Sequence, residues 1–511
     1  MLRSLKNVIS FTRCLVISKK EFIFCSFSAI LLILSFPNFN LWLFAWFGFV
    51  PLFFALKEKS KGKAFLLAYL TGVIFWTGII YWLIHVTLPG TILLILYLAL
   101  YFGIFGLIIS TINYQLSTIN FLFISCVWVL LEYVRAYLFT GFPWALLGYS
   151  QYLNLPVIQI SDITGCWGVS FLVMLVNVVI YSVVSRKLPV VSKIKQSLIP
   201  IFCLLITLGY GYYKILHLRL MTGDLRLKVS VIQGNIPQEL KWVPVSREYI
   251  IEKYLSLSRQ AAKDKPDLIV WPEAALPVVL EEEPKFFARI IESVKEIEIP
   301  LLLGAVTLQN NLYYNSAILV SNEGRVLDRY NKLHLVPFGE YIPLKKIFLF
   351  LETIVPIGDI MAGKKYTIFA CDTAHFSTLI CFEDLFPELS RRFVKYGANF
   401  LVNITNDAWY KRTSAPYQHL EASVFRAVEN RVPLIRAANT GVSGFIACDG
   451  KIISLVEDRL GKNIFVDGYA TKQIFFYRRP LTFYTHHGDI FVLLLLIFAL
   501  YNFPYLFRLR H

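Results

Sequence analysis

Apolar residues fall into long unbroken runs at both ends of the chain and into short alternating elements between them. A bilayer core about 30 Å thick needs roughly 20 apolar residues per helix. Runs approaching or reaching that length lie at about 21–36, 41–56, 64–86, 91–112, 119–139, 165–185 and 198–216, with a last one at about 489–507. The first two are short. Between 217 and 488 no run qualifies and charged residues return. The pattern predicts a polytopic α-helical membrane bundle of about eight helices carrying one soluble α+β domain. Its divisions are 1–217 (seven helices), 218–480 (the domain) and 481–511 (a closing helix).

Inside the domain the period shortens. Strands are predicted at 227–235, 266–273, 299–306, 312–321, 325–332, 375–382, 398–407 and 432–439, and a hairpin over 443–455 turns at Asp449-Gly450. Helices are predicted near 246–263, 284–297, 387–396 and 416–430. Several strands are apolar throughout, as strands are when helices cover their sheet.

Composition agrees: 56% of the 511 residues are hydrophobic and 16% aromatic. The net charge of +16 invites a nucleic-acid reading, but its distribution opposes one. Positive residues gather at one set of run ends: Arg3, Lys6, Arg13, Lys19 and Lys20, then Lys57 to Lys63, Arg186 to Lys195, and Arg508 and Arg510. The alternate connections, "PNFN" and "TLPG", carry none. This positive-inside arrangement predicts cytoplasmic termini and a domain on the outer side of the membrane, which is the periplasm if the cell has two membranes. The basic N-terminus admits a signal peptide, but "SFPNFN" lacks a small-x-small cleavage pattern, so an uncleaved first helix is favoured.

Three of the eight cysteines, Cys371, Cys381 and Cys448, fall in the domain. An odd count outside the cytoplasm leaves at least one thiol free unless chains pair. No CxxC, HExxH or paired Cys/His spacing is present, so no metal site is expected.

Reactive side chains end three predicted strands: Glu273 in "LIVWPEAALP", Lys332 in "DRYNKLHLVPFGEYIP" and Cys381 in "TLICFED". Each alone has an ordinary reading, as a solvated acid, a solvated base or a core thiol. Together they fit one chemistry. A thiol with a pKa near 8.5 is mostly protonated at neutral pH. It needs a carboxylate to take its proton and a cation to hold an oxyanion.

"WPE", "YNKLHLVPFGEY" and "ICFED" resemble the Glu-Lys-Cys triad of the nitrilase superfamily. With "TGFPWALLGYSQ", "IQGNIPQELKW", "NITNDAWY" and "ANTGVSGF" in the same order, the chain resembles apolipoprotein N-acyltransferases over nearly its whole length. The resemblance implies an αββα sandwich and a site near the membrane. It implies transfer of the sn-1 acyl chain of a phospholipid, typically phosphatidylethanolamine, to the α-amine of a diacylglyceryl-cysteine apolipoprotein, without a cofactor. Glu273 then serves as base, Lys332 as oxyanion stabiliser and Cys381 as nucleophile. Glu340, Glu383 and Trp242 match supporting positions. Phe382 departs from the family's usual Tyr, leaving its backbone N–H for the oxyanion but no phenolic hydroxyl. A membrane-anchored amidase acting on small amides would use the same triad, though seven helices exceed what an anchor needs. A decayed scaffold would not keep it.

Four further features have less to anchor them. Glu132 and Arg135 are costly in lipid unless paired or near the interface; their spacing permits a structural ion pair, which is favoured over a role with the phospholipid headgroup. Trp144 reads as an interfacial anchor, and His334 and His375 as structural. The segment 344–361 reads either as an amphipathic element on the membrane or as a packed hydrophobic arm.

Overall fold

The computed structural model describes residues 16–112, 118–185, 190–220, 225–337, 339–341, 360–372, 374–476 and 480–508. The segment 344–361 therefore lies almost wholly outside the described residues. The chain forms two compact units, residues 1–214 with 489–511, and residues 215–488.

The first unit is helical. Among the described residues five helices are long and apolar enough to cross a membrane: Lys61–His85, Leu88–Thr111, Thr118–Tyr137, Cys166–Ser185 and Leu198–Leu218. Lys19–Leu34 and Ile490–Pro504 are shorter. The run 41–56 is not one helix. It divides into a 3-10 turn at Trp42–Trp46 and a helix at Val50–Leu56. Buried Asn177 holds the break, donating to the Ala45 carbonyl at 2.7 Å and accepting from the Phe49 N–H at 2.8 Å. Backbone groups freed in an apolar setting need such partners.

Helices Lys61–Ile80 and Leu88–Thr111 approach closely through small residues. A Cβ at Gly106 would stand 2.6 Å from the Ala64 carbonyl oxygen. Trp128 is wrapped by Phe49, Phe102 and Phe105 at ring distances of 4.6 to 5.0 Å.

Glu132 and Arg135 do not form the expected ion pair; both reach the backbone of the loop that follows their helix. Glu132 accepts from the Leu147 N–H at 2.7 Å. Arg135 donates to the carbonyls of Phe142 and Trp144 at 2.7 and 2.8 Å. Trp144 is buried against Trp82, ring to ring at 5.0 Å, and is not an exposed anchor.

The second unit holds two six-stranded sheets. One has the order β12-β1-β2-β3-β4-β5 and the other β11-β10-β9-β8-β7-β6. Their strands are β1 (Leu225–Gln233), β2 (Leu268–Val270), β3 (Leu301–Gln309), β4 (Leu312–Val320), β5 (Val326–Asn331), β6 (Phe369–Cys371), β7 (Ala374–Ile380), β8 (Phe400–Thr405), β9 (Leu434–Ala438), β10 (Gly444–Ile446), β11 (Ile452–Leu455) and β12 (Gly468–Phe476). Helices α1 (Arg247–Ala262) and α2 (Pro284–Ile297) cover the first sheet, burying Ile250, Tyr254, Ile290 and Val294 against Ile269, Trp271, Leu301 and Leu303. Helices α3 (Pro387–Lys395) and α4 (Ala415–Asn430) pack on the second. The inner faces meet through Asn439, whose carbonyl accepts from the Asn235 N–H at 2.8 Å and whose side chain accepts from Ile236.

The layering is α/β/β/α. β1, β2 and β3 run parallel, as do β7, β8 and β9, and antiparallel strands flank each trio. Parallel strands align their C-terminal ends, and that edge is where side chains leave an open sheet to form a site.

Candidate active site

Two sharp turns open the site. β2 leads into Trp271, Pro272 and Glu273, after which Ala274 takes a left-handed φ of 43°. β7 ends at Ile380, and Cys381 has a φ of 55°. A non-glycine residue in this region costs roughly 1–3 kcal/mol and persists where surrounding contacts enforce it. Here they do: Asn403 Nδ2 donates to the Cys381 carbonyl at 2.8 Å, and the 3-10 turn Cys381–Leu385 starts at once. Gly304 is needed beside the first turn, since a Cβ there would stand 2.7 Å from the Glu273 Cα.

Glu273, Lys332 and Glu340 come together around Asn315 of β4. Lys332 is 1% exposed, and its Nζ stands 2.9 Å from Glu340 Oε2 and 3.6 Å from Glu273 Oε1. Asn315 Nδ2 donates to Glu273 Oε1 at 2.8 Å and Glu340 Oε1 at 2.9 Å. The Asn315 carbonyl also accepts from the Lys332 N–H at 2.8 Å, and the Val336 N–H donates to Glu340 Oε2. Burial pulls the Lys332 ammonium downward, but the charges of Glu340 and Glu273 more than offset it, so its pKa is raised above an ordinary lysine's.

Lys332 Nζ lies 5.3 Å from the centre of the Phe382 ring, which brings the ammonium to the residue following Cys381. Cys381 is buried. Burial pushes its thiol well above its ordinary value, Glu273 adds to the rise, and Lys332 opposes it. These contacts favour the neutral thiol at Cys381 over the thiolate.

Glu383 takes its hydrogen bonds from outside the Glu273–Lys332–Glu340 cluster. It is fully buried and accepts from the Tyr330 hydroxyl and from the N–H groups of Leu333, His334 and Ile380, at 2.7 to 3.0 Å. Burial nonetheless pushes its carboxyl up to about 7. Its contacts tie the turn after β7 to the segment after β5, holding Cys381 and Lys332 in register. Trp242 is half-buried and makes no hydrogen bond or ring contact among the described residues. His334 stacks on Phe386 at 3.8 Å, while His375 is exposed.

Several residues at the site carried no sequence signal. Asn315 is a polar residue inside an apolar strand; that irregularity was its only mark. Beneath Cys381, His419 of α4 sits between Asp384 (Nε2 at 2.8 Å) and Asp407 (Nδ1 at 3.1 Å). Arg436 of β9 donates to Asp384 at 2.8 Å. Burial alone would lower His419, but the two aspartates raise it to about 9. Lys241, adjacent to Trp242, is buried with its Nζ 3.1 Å from the Glu273 carbonyl.

Cys371 and Cys381 are free thiols. Among the described residues no group of three His, Cys, Asp or Glu side chains could hold a metal ion.

Fold and site together define a carbon–nitrogen hydrolase domain joined to a unit of apolar helices. Residues 228–465 match the carbon-nitrogen hydrolase family, and residues 28–179 match the apolipoprotein N-acyltransferase N-terminal domain. An apolipoprotein N-acyltransferase from Geobacter metallireducens is 39% identical, covering 93% of both chains. One from Pasteurella multocida is 32% identical, covering 84% of this chain and 85% of its own. Among solved structures, an amidase from Nesterenkonia sp. aligns at 17% identity with a TM-score of 0.40, covering 53% of this chain and 97% of the amidase. The chain belongs to the apolipoprotein N-acyltransferase family, whose members are acyltransferases built on the carbon-nitrogen hydrolase domain.

Proposed function

We propose that this protein transfers the sn-1 acyl chain of a membrane phospholipid, with phosphatidylethanolamine as donor, to the α-amine of an apolipoprotein's N-terminal diacylglyceryl-cysteine. The observation that carries the reading is the Lys332 ammonium held by Glu340 and Glu273 beside the strained Cys381 turn.

In the first half-reaction Glu273 takes the thiol proton and Cys381 Sγ attacks the ester carbonyl. Lys332 and the Phe382 N–H hold the oxyanion, a preorganised arrangement that stabilises charge only where it develops. Collapse breaks the ester C–O bond, and Glu273 returns the proton to the departing lysophospholipid. In the second, the lipoprotein amine gives a proton to Glu273 and attacks the thioester. Collapse breaks the thioester C–S bond, leaving the amide, and Glu273 returns the proton to the Cys381 sulfur. Glu340 and Asn315 hold Lys332 and Glu273 in place. Trp242 is assigned to the substrate side, because it follows Lys241, which contacts the Glu273 carbonyl, and is only half-buried.

The same reading places about eight spans in a bacterial inner membrane, with the domain 218–480 in the periplasm between 1–217 and 481–511 and both termini in the cytoplasm. The lysine and arginine clusters support this orientation. Amide hydrolysis is the weaker reading, since both relatives above are named acyltransferases over most of their length. Mass spectrometry of lipoprotein N-termini, from cells depleted of the protein and then complemented, tests the proposal. Restored N-acylation is expected; unchanged free amines would exclude it.

A further inference from the structure

Lys241 is a second buried amine at the site, and no step above uses it. It ends the polar segment between β1 and α1, is 2% exposed, and donates from Nζ to the Glu273 backbone carbonyl at 3.1 Å. That is the one hydrogen bond its side chain makes among the described residues. An ammonium has three N–H donors, and burying one against a single neutral acceptor is unfavourable. A packing role alone would be better filled by methionine.

The charges around it supply a reason. The titratable groups that face it are Glu273, after β2, and Cys381, after β7. Glu273 and Glu340 carry two negative charges, and Lys332, which contacts both, carries one positive. Asp407 presses further negative charge on Cys381. When the thiol proton passes to Glu273 and acyl transfer begins, negative charge moves onto sulfur and then onto the carbonyl oxygen. Glu273 is then neutral, and Lys332 serves the Glu340 carboxylate and the developing anion together.

We propose that Lys241 is a positioning residue for acyl transfer: it holds the Glu273 backbone by its carbonyl, and its positive charge offsets the negative charge that develops at Cys381. This rests on the roles given above to Glu273 and Cys381. Burial lowers the Lys241 ammonium to about 8, against the upward pull of Glu273 and Cys381. Its charge is therefore present at neutral pH and is lost as the pH rises through about 8.

The test is single-turnover acylation of the full-length protein in phosphatidylethanolamine vesicles, read by intact mass from neutral to alkaline pH. For the wild type, the rate should fall as the pH passes about 8. Lys241→Arg keeps a cation that does not titrate; it should stay active and lack that fall. Lys241→Met should be slower by about tenfold or more at neutral pH, the scale of one charge acting through protein, with no fall near 8. An undiminished rate in Lys241→Met, or the same alkaline fall in Lys241→Arg, would overturn the proposal. If the methionine variant does not fold, the wild-type and arginine profiles decide, and a wild type with no alkaline fall counts against it. Absence of an acyl group from wild-type Cys381 would instead remove the mechanism on which the proposal stands. An adduct on Cys381 formed equally fast in Lys241→Met removes the role of Lys241 alone.

Discussion

Lys332 Nζ is 2.9 Å from Glu340 Oε2 and 3.6 Å from Glu273 Oε1, so its tighter partner is the carboxylate that the mechanism does not use for proton transfer. The asymmetry has a chemical use. Glu340 can keep the ammonium charged and aimed while Glu273 alternates between its charged and neutral forms. Lys332→Met should lower acylation by about 10²-fold or more, the scale of losing an oxyanion donor, with thermal stability retained. Glu340→Gln should slow turnover less than Lys332→Met, because the amide still accepts from Lys332. Acyl-enzyme formation followed by mass checks both; a near-normal rate in Lys332→Met removes the lysine from the mechanism.

Asn315 bridges the two carboxylates through one nitrogen. Asn315→Leu should remove both contacts, leaving Glu273 Oε1 without its hydrogen-bond donor while Glu340 keeps Lys332 and the Val336 N–H. Hydrogen bonds to charged groups contribute about 1.5–3 kcal/mol each. The variant should therefore lose stability by about 2 kcal/mol and acylate at least about tenfold more slowly. Asn315→Asp should be worse, since it adds a third carboxylate beside a single ammonium. Thermal unfolding and acyl-enzyme kinetics would read the two effects separately, and a wild-type rate in either variant would dismiss the bridge.

His419 links acid–base chemistry to stability rather than to catalysis. Its folded pKa, about 9, exceeds the ordinary 6.5. A histidine raised in this way contributes stability that is fully present below 6.5 and is lost as pH rises through about 9. Wild-type domain stability should therefore decline across that window. His419→Gln should start lower by more than ~1.4 kcal/mol, the worth of one pKa unit, and decline less. Parallel pH curves for the two proteins would argue that His419 is neutral in the fold.

Much of the domain was legible because its strands are short, apolar and punctuated. β2, β3, β4, β5, β7, β8 and β9 fall within a few residues of where alternation and turns put them. β6 and β12 were missed for different reasons. β6 has three residues, and β12, "GYATKQIFF", is largely half-exposed and gains its place by pairing with β1 more than 200 residues earlier. Local pattern cannot report such a pairing. At the site, Glu273, Lys332 and Cys381 stood out because each ends a predicted strand. Asn315, Lys241 and the His419 cluster did not, because their meaning comes from partners on other elements. Glu132 and Arg135 show the same limit: spacing suggested a pair, and the loop backbone took both side chains.

The proposed topology rests on charge placement and can be checked directly. A reporter active only outside the cytoplasm, fused after Leu225, should be active; one fused after Lys61 should be silent. The Lys61 region is anchored by Glu21, which pairs with Lys59 at 2.7 Å and Lys63 at 2.9 Å. The reverse activity pattern would overturn the orientation.

Cys381 gives the most direct prediction. Two-step transfer requires that the lysophospholipid leave before the amine attacks. Incubation with phospholipid alone should therefore leave a hydroxylamine-sensitive acyl group on Cys381, released when a lipoprotein amine is supplied. Cys381→Ala should abolish both adduct and product. Cys381→Ser should acylate slowly, since a hydroxyl is far less acidic than a thiol, and then stall, because its oxygen ester resists the amine. Cys371 and Cys448 are buried, and burial pushes the Cys371 thiol up to about 11. Neither should compete as nucleophile, and Cys371→Ser and Cys448→Ser should retain most activity. An acyl group mapped to either of them, or full turnover in Cys381→Ala, would end this mechanism.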